Sequence, residues 1–307
     1  MISNALVEQH IHGAFGYDFM TCNVEELLKV SKLLLNCGVG YYFPTIMTDK
    51  LDVIKERIAV VKEAMRLQSK DMAQIVGVHL EGPFINSDKT GIHEKKYIQP
   101  LNIEIYKKIE DDIIKIVTLA PELDEKGEFV SYLKSKGVKV SAGHCIATNL
   151  SNVNQVTHLY NAMGAFLHRG ASTVVSALSS DVFVEIIADS VHVCDDVLKI
   201  TFKQKNLEQV LLISDALPLA HSENKEHIFA GQKIYNKQGQ LVNEQGIFAG
   251  SSMLLCDIIK NLADKNLLNL KDALTCASSN QLKYHNLKNN LKVYWNNLNE
   301  IEKVELI

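Results

Sequence analysis

Residues 5–12 read ALVEQHIH, an apolar run that ends in two histidines, His10 and His12, with one residue between them. Seven further runs of β-branched or apolar residues follow, each separated from the next along the chain. With the first, the runs are ALVEQHIH (5–12), VGYYFPT (39–45), IVGVHLEG (75–82), IKIVTLAPE (114–122), VKVSAGH (138–144), QVTHLYNA (155–162), VFVEIIAD (182–189) and VLLISDA (210–216). Such runs are typical of strands that are buried on both faces.

The stretches between the runs have the periodicity of amphipathic helices. In VEELLKVSKLLLNCG (24–38), leucines recur at helical spacing, and Gly38 stands where a helix would end. Strands and helices that alternate eight times predict a parallel sheet covered by helices, most simply a closed (β/α)8 TIM-like barrel. An open, doubly wound sheet is the alternative, but no G-x-G-x-x-G motif follows the first run to favour it.

The pattern changes beyond residue 216. Residues 228–252 read IFAGQKIYNKQGQLVNEQGIFAGSS, with glycine-containing turns between short β-favouring segments, which predicts antiparallel strands. Helical stretches follow near 251–266 and 270–284, and the last segment, LKVYWNNLNEIEKVELI, predicts one more strand. We therefore expect a barrel over residues 1–285, interrupted by a small β insertion at about 228–250, and a small C-terminal β region over residues 286–307.

The composition limits the partners and the location of the protein. The chain has 307 residues, of which 47% are hydrophobic and 22% charged, and a formal net charge of −4. Its 32 lysines and arginines are scattered, so we expect no nucleic-acid partner. Six cysteines lie far apart without a C-x-x-C pair, and no apolar run approaches the roughly 20 residues that span a bilayer. The sequence thus predicts a reduced, cytoplasmic chain with no membrane partner.

Metal-capable side chains stand at the carboxyl ends of five of the eight runs. Active sites of (β/α)8 barrels are built at this face from several strands, so residues far apart in sequence would meet there. The six residues concerned are His10, His12, Glu81, His144, His158 and Asp215. Histidines are often structural, but six such side chains at these positions favour an active site over chance.

The residue types at these positions indicate hydrolytic chemistry. Two histidines and a carboxylate with one open coordination position describe a catalytic metal site. A Zn²⁺ or similar ion there lowers the pKa of bound water to about 7 and so supplies a hydroxide nucleophile. A carboxylate beside that water can accept its proton and pass it to the leaving group, which is the role that we expect of Asp215.

Six segments carry a resemblance to a known family. They are HIHGAFGYD (10–18), HLEGPFINSDKTGIHE (79–94), SAGHCIAT (141–148), THLYNAM (157–163), ADSVHV (188–193) and LISDA (212–216). In this order, from about residue 8 to residue 255, the chain resembles the N-acetylglucosamine-6-phosphate deacetylases of the amidohydrolase superfamily. HLEGPF followed by G-x-H, and THLYNAM, are the specific motifs, whereas H-x-H or SDA alone would be weak.

The resemblance implies a metal-dependent deacetylase with an amidohydrolase-type (β/α)8 barrel. The positions that match the metal ligands of the family are Glu81, His144 and His158. Asp215 matches its catalytic acid and base, and His10 and His12 match the H-x-H that helps to hold a second metal in those members that have it. The implied cofactor is therefore a divalent metal, one or two ions per chain, with zinc favoured over iron, manganese or cobalt.

The resemblance also implies a set of substrate contacts. The matching positions are Ile92, His93, Asn161, Ala162, Arg169, His192, Phe248, Ala249 and Gly250. His93 matches a histidine near the acetamido carbonyl, Arg169 matches a sugar-phosphate contact eleven residues after His158, and FAGSS (248–252) matches a loop that closes on the sugar. An arginine fork suits a phosphate dianion. Without the resemblance, Arg169 would be read as a solvated surface residue, and His192 equally well as a cap of a strand or helix.

The chain departs from the family pattern at three places. The family has a stretch ahead of the barrel that pairs with C-terminal strands in a small β-sandwich, whereas this chain reaches H-x-H at residue 10, so residues 286–307 would be the remnant of a reduced accessory domain. CASSNQLKYHN (276–286) replaces an Asn-Pro-Ala-type motif. Ser190 stands where the family typically has glycine, and a positive φ there would make serine strain or narrow the pocket.

The reaction expected from the resemblance is hydrolysis of the acetamide of N-acetylglucosamine 6-phosphate to glucosamine 6-phosphate and acetate. Two alternatives stay open at this point. One is the same reaction on another N-acetyl amino-sugar phosphate, such as N-acetylgalactosamine 6-phosphate, and the other is a non-catalytic relative that binds sugar phosphates. The expected partner is a small-molecule amino-sugar phosphate, and the resemblance suggests a homodimer.

Overall fold

Each of the eight apolar runs contains one strand of a single parallel sheet in the computed structural model, which describes residues 1–307. In chain order the strands are β1 (Ile2–Asn4), β2 (Leu6–Ile11), β3 (Gly13–Ala14), β4 (Tyr17–Asp18), β5 (Val39–Met47), β6 (Gln74–Ile75), β7 (Val78–Glu81), β8 (Ile114–Leu119), β9 (Lys139–Ala142), β10 (Gln155–Val156), β11 (Phe183–Ile187), β12 (Val210–Ile213), β13 (Glu226–Phe229), β14 (Gln232–Lys237), β15 (Gln240–Asn243), β16 (Leu291–Trp295) and β17 (Ile301–Leu306). The parallel sheet runs in the order β2, β5, β7, β8, β9, β10, β11, β12, with β6 beside β5.

The sheet closes into a barrel because its first and last strands meet. The backbone N–H of Asp215, just after β12, donates to the carbonyl of His10 in β2 at 3.0 Å, and the N–H of His12 donates to the carbonyl of Ala216 at 2.9 Å. All six residues of β2 are buried, because a barrel strand faces packed side chains within and helices outside. The (β/α)8 barrel predicted from the eight runs is confirmed.

A helix lies between each pair of successive barrel strands except β9 and β10, so the alternation expected from the sequence is interrupted once, and further helices follow the barrel. The helices are α1 (Val24–Asn36), α2 (Leu51–Leu67), α3 (Ile103–Tyr106), α4 (Glu128–Ser135), α5 (Thr173–Ser179), α6 (Asp195–Gln204), α7 (Leu255–Asp264), α8 (Leu270–Leu274) and α9 (Asn280–Tyr284), with 3₁₀ turns at Lys95–Tyr97, Pro121–Leu123 and Leu207–Gln209. A π-helical turn, Thr275–Ser279, joins α8 to α9, so the helical stretch expected near 270–284 changes its hydrogen-bond pattern midway. None of these helices combines the length and the apolar composition needed to cross a bilayer.

Two three-stranded antiparallel sheets accompany the barrel. One contains β13, β14 and β15 and covers most of the stretch for which short antiparallel strands were expected, although β13 begins two residues earlier, at Glu226. In the other, β16 pairs with both β1 and β17. The last segment thus forms two strands where one was expected, and residues 2–4 form a strand that the sequence did not suggest. Pairing between the two ends of a chain leaves no local sequence signal, because it depends on where the barrel brings those ends.

Candidate active site

A cavity of about 370 Å³ opens at the carboxyl ends of the barrel strands. Five of the six metal-capable residues line it, namely His12, Glu81, His144, His158 and Asp215. The sixth, His10, is fully buried behind them, and its Nε2 lies 3.3 Å from Oδ1 of Asp215. The barrel therefore brings together side chains that come from five different strand ends.

Glu81, the last residue of β7, is the centre of this group. Its Oε1 lies 3.1 Å from Nε2 of His144 and 3.0 Å from Nε2 of His158. Its Oε2 lies 3.2 Å from Nε2 of His12 and 3.3 Å from Nε2 of His93. Each oxygen of this buried carboxylate thus lies within 3.3 Å of two imidazole nitrogens.

The H-x-H pair and Asp215 form a second group that adjoins the first. Nε2 of His10 and Nε2 of His12 lie 3.3 and 3.2 Å from Oδ1 of Asp215. Nε2 of His10 also lies 3.5 Å from Oε1 of Glu81. Residues two apart in an extended chain point to the same side, so the alternation in H-x-H directs both rings toward the same carboxylates. Glu81 is common to both groups.

The chemistry of these side chains fits a divalent metal ion. Nδ1 of His144 lies 2.8 Å from the carbonyl oxygen of Lys89, which can only accept, so in the neutral ring Nδ1 carries the proton and Nε2 presents a lone pair. That lone pair lies 3.1 Å from Nε2 of His158, beside Oε1 of Glu81. Acceptor atoms this close repel one another unless a positive charge lies between them. Ligand atoms within 4.8 Å of one another occur in the groups His10, His12, Glu81 and Glu81, His93, His144.

The electrostatics of the site keep its carboxylates ionised. Burial raises the pKa of Asp215, but the charge of His10 and the hydrogen bond from His12 outweigh it and hold the pKa at about 2. Burial also opposes ionisation of Glu81, yet its histidine neighbours hold its pKa well below the usual range. Burial lowers the pKa of His12, while hydrogen bonds to Asp215 and Glu81 raise it to about 9. The buried carboxylates therefore require a compensating positive charge.

His93 enters the cavity from the loop after β7, next to Ile92. Its Nδ1 lies 2.8 Å from Oγ1 of Thr48, and its Nε2 faces Glu81. Burial, and after it the charge of His144, lowers the pKa of His93 to about 4. The ring is therefore neutral at neutral pH and carries a single N–H donor.

His192 lines the cavity from the loop after β11, where Asp189 holds it. Oδ2 of Asp189 accepts from Nδ1 of His192 at 2.7 Å, and Oδ1 accepts from the backbone N–H groups of His192 at 2.8 Å and Val191 at 2.9 Å. Burial lowers the pKa of His192, but the hydrogen bond to Asp189 and the negative charges of Asp189 and Asp215 together outweigh it and raise the pKa. Nε2 of His192 has no hydrogen-bond partner within the protein and is left for a ligand.

Three of the strand-end residues have a left-handed backbone conformation. The φ angles are 48° at His144, 29° at His158 and 49° at Asp215. This region costs an L-residue roughly 1–2 kcal/mol, and such strain is concentrated at functional sites. The turn after each of these barrel strands therefore holds its side chain in an orientation that a relaxed backbone would not give.

Ser190 also has a left-handed backbone, with a φ of 65°. The positive φ anticipated at this position, where the related family has glycine, is thus present. Its Oγ accepts a hydrogen bond from Nδ2 of Asn261 at 2.9 Å, which turns the side chain toward α7. Ser190 is not among the residues that line the cavity, so it strains the backbone without narrowing the pocket.

Most of the expected substrate contacts lie on the cavity wall, and one does not. Those on the wall are Ile92, His93, Asn161, Ala162, His192, Phe248, Ala249 and Gly250. Arg169 is exposed and does not line the cavity. Phe166 and Leu167 of the same loop are 62% and 55% exposed, so the loop extends into solvent. Motif spacing gives the position of Arg169 in the sequence but not the path of an exposed loop. The contact of Arg169 with a substrate therefore stays a prediction.

Sequence reasoning missed the residues that support the site. Asp189 had a signal, because it lies three residues before His192 within ADSVHV. Glu185, which contacts His10, had none, because it reads as one acid within an apolar run. The apolar wall of the cavity was also missed, and it includes Met47, Leu217, Phe229 and Ile247.

The chain is similar to known proteins in both sequence and structure. N-acetylglucosamine-6-phosphate deacetylase of Bacillus subtilis is 29% identical over 291 residues, which cover 91% of this chain and 74% of that protein. The enzyme of the same name from Caenorhabditis elegans is 30% identical over 262 residues, 77% of this chain, and the match spans only 62% of that longer protein. No family model matches the chain.

A solved structure shares the fold. The crystal structure of N-acetylglucosamine-6-phosphate deacetylase from Thermotoga maritima superposes with a TM-score of 0.90 at 25% identity and covers 99% of this chain and 87% of that one. Together with the curated relatives, it confirms both the resemblance drawn from the motifs and the barrel.

Proposed function

We propose that this chain, which is homologous to the N-acetylglucosamine-6-phosphate deacetylases, hydrolyses the acetamide of N-acetylglucosamine 6-phosphate to glucosamine 6-phosphate and acetate. The single observation that carries the proposal is the convergence of five histidine nitrogens on the two oxygens of Glu81, a residue that lines the cavity. The names of the relatives supply the substrate, and the chemistry of the cavity supplies the reason to expect hydrolysis.

The proposed metal ligands are Glu81, His144 and His158, with His10 and His12 as ligands of a second ion. Two imidazoles and a carboxylate are a common ligand set of hydrolytic zinc, which favours Zn²⁺ over iron, manganese or cobalt. When bound there, such an ion would lower the pKa of a water molecule in the cavity to about 7 and polarise the acetamide carbonyl.

Asp215 is the proposed general base and acid. Its pKa of about 2 keeps it ionised at neutral pH, so Oδ1 can accept a proton from the attacking water. The same oxygen can then deliver that proton to the amide nitrogen, so that the C–N bond breaks and the amine leaves neutral. Acetic acid and the free amino sugar result, the acid loses its remaining proton to solvent to give acetate, and Asp215 is again ionised.

The other polar residues of the cavity have proposed roles in binding. His93 is neutral, so it can donate a hydrogen bond to the carbonyl oxygen on which negative charge develops. Nε2 of His192 and the side chain of Asn161 can bind sugar hydroxyls or the phosphate. Phe248, Ala249 and Gly250 line the same cavity and are proposed to contact the sugar, and Arg169 is a proposed phosphate contact from the exposed loop.

The experiment that tests this function measures acetate release by the purified chain from three substrates. These are N-acetylglucosamine 6-phosphate, its galactosamine epimer and unphosphorylated N-acetylglucosamine. We expect the highest kcat/KM with the first, because the relatives are named for it. Faster turnover of the epimer would support the alternative substrate, and binding of the sugar phosphate without acetate release would support the non-catalytic alternative.

A further inference from the structure

A fully buried carboxylate, Glu185, lies beneath the cavity within β11. Four N–H groups converge on it. Oε1 accepts from Nε2 of Gln9 at 2.5 Å and from Nε2 of Gln155 at 2.8 Å. Oε2 accepts from Nδ1 of His10 at 3.1 Å and from the backbone N–H of His158 at 3.4 Å. A buried, ionised carboxylate must be hydrogen-bonded in this way. Donors from two barrel strands and the turn after one of them satisfy Glu185.

The contact with Glu185 decides how His10 presents its ring to the cavity. A carboxylate can only accept, so Nδ1 of His10 must carry the proton that it donates. Nε2 is then the nitrogen left to bind a metal ion, and it points at Oδ1 of Asp215 (3.3 Å) and Oε1 of Glu81 (3.5 Å). Carboxylates that accept from the second nitrogen of a metal-bound histidine fix its tautomer and its orientation.

Glu185 itself is placed to orient a ligand rather than to bind a metal. Together with His10 and His79 it forms a third group whose ligand atoms lie within 4.8 Å of one another. However, Nδ1 of His79 donates to the carbonyl of Gln9 at 2.8 Å, and its Nε2 pairs with Oγ1 of Thr118 at 2.7 Å. Both nitrogens of His79 are therefore engaged in hydrogen bonds. The group of His10, His79 and Glu185 thus lacks the free lone pairs that a metal ion needs.

A further hydrogen bond fixes the amide that holds Glu185. Nε2 of His285, just after α9, donates to Oε1 of Gln9 at 2.7 Å, which leaves the Nε2 of Gln9 to face Glu185. A continuous series of hydrogen bonds thus runs from His285 through Gln9 and Glu185 to His10. Gln155 adds a separate donor to the same carboxylate, and its Oε1 has no other partner in the protein.

We propose that Glu185 is a positioning residue that holds His10 in the tautomer required for a second divalent ion, bound by His10 and His12 beside the ion at Glu81, His144 and His158. The inference rests on the proposed function, because it takes these residues as metal ligands. It assigns a role to a carboxylate that does not reach the cavity and that neither the motifs nor the reaction explain.

The test compares the full chain with Glu185→Gln in equilibrium titrations with Zn²⁺ against a chromophoric chelator, with thermal unfolding measured in parallel. Glutamine keeps the size of the side chain and removes its charge. We expect two binding phases in the parent chain. In the variant, the affinity for Zn²⁺ in the weaker of the two phases should be lowered by about 10- to 100-fold. The tighter phase should change little. General damage to the fold would weaken both phases and lower the unfolding temperature.

Glu8→Gln is the control for placing an amide in the barrel interior, because Glu8 is a buried carboxyl that does not contact an imidazole and whose pKa burial raises to about 8. Its oxygens lie 3.2 Å from the backbone nitrogen of His10 and 3.1 to 3.3 Å from that of Ser214. This variant should retain both binding phases. If Glu185→Gln fails to fold, Gln155→Leu replaces it, since that variant removes one donor to Glu185 and should weaken the second phase by a few-fold.

Three results would overturn the inference. They are a single binding phase in the parent chain, parental affinity for both ions in a folded Glu185→Gln variant, and, where that variant does not fold, parental affinity in Gln155→Leu. Because metal binding is measured without substrate, a parent chain that binds two ions but releases no acetate would contradict the proposed function and leave the role of Glu185 intact.

Discussion

The Nε2 atoms of His144 and His158 lie 3.1 Å apart. They come from the turns after two neighbouring strands of the barrel, and Oε1 of Glu81 lies 3.1 and 3.0 Å from them. Because Nδ1 of His144 donates to a backbone carbonyl, its Nε2 has no proton to share with its neighbour in the neutral ring. The arrangement is therefore suited to a cation held by three ligands.

Removing one of these ligands should weaken metal binding severely. We expect His144→Ala to lower the affinity for Zn²⁺ by more than about 100-fold. Loss of a residue that only hydrogen-bonds to a metal ligand already lowers metal affinity by about 10- to 100-fold. Competition with a chelator measures this. His221→Ala is the control, since His221 pairs with Asp257 at a half-exposed position. Equal affinities of the two variants would contradict the assignment of His144.

Asp215→Asn tests the proposed acid and base. The amide cannot accept the proton of the attacking water, so kcat should fall by about 10²- to 10⁴-fold. Substrate affinity, measured by calorimetry, should stay close to that of the parent chain, and the metal content is checked in the same sample. Near-normal turnover by the metal-loaded variant would exclude Asp215 from this role.

Gly250→Ala tests how closely the loop over the cavity packs on Asp215. A Cβ at Gly250, where φ is 69°, would lie 2.6 Å from the carbonyl oxygen of Asp215. At Gly246, where φ is 78°, a Cβ would meet nothing within 4 Å. Both substitutions impose a backbone cost of roughly 1–2 kcal/mol, but only Gly250→Ala must displace Asp215. We expect the backbone cost to lower the free energy of unfolding by a similar amount in both variants. Gly250→Ala should lower it further because of the contact with Asp215.

The activities of these two variants should differ more than their stabilities. We expect kcat to fall by at least about tenfold in Gly250→Ala, because small displacements of reacting groups are costly, and to change little in Gly246→Ala. Equal kcat values for both would show that the contact with the Asp215 backbone does not position the catalytic carboxylate.

The sequence predicts the barrel well because its signal is local. Buried parallel strands read as uninterrupted apolar runs, and every one of the eight runs contains a strand of the barrel. The strand ends then place His144, His158 and Asp215 at one face without any knowledge of contacts. What could not be predicted depends on contacts between distant segments, such as Ile2–Asn4 beside β16.

The supporting residues of the site were missed for the same physical reason. Glu185 interrupts an apolar run and looks like an isolated acid, and its importance depends on donors that come from other strands, Gln9 and Gln155. Arg169 shows the opposite case. Its motif spacing predicts a phosphate contact, but the loop that carries it lies exposed outside the cavity, so that contact stays a prediction.

The pair of Asp189 and His192 predicts a pH dependence of stability. The pKa of Asp189 is lowered from 3.8 and that of His192 is raised from 6.5, because hydrogen bonding and charge attraction together exceed the opposing effect of burial in each case. The raised histidine pKa stabilises the fold fully below pH 6.5, and this contribution disappears as the pH rises through the folded-state pKa. The lowered aspartate pKa contributes above pH 3.8 and is lost on further acidification.

Asp189→Asn removes both contributions. The difference in the free energy of unfolding between the parent chain and this variant should therefore be larger at about pH 5.5 than at about pH 8.5. Chemical denaturation at the two pH values measures it. A difference that grows toward alkaline pH would show that the histidine is not held protonated by Asp189.

The most direct test of the account is acetate release from N-acetylglucosamine 6-phosphate before chelation, after chelation and after Zn²⁺ is restored. Asp215→Asn serves as the control for acetate that arises without catalysis. We predict turnover that disappears when the metal is removed and returns when Zn²⁺ is restored. Turnover that persists after complete removal of metal, or no turnover by a folded and metal-loaded chain, would contradict it.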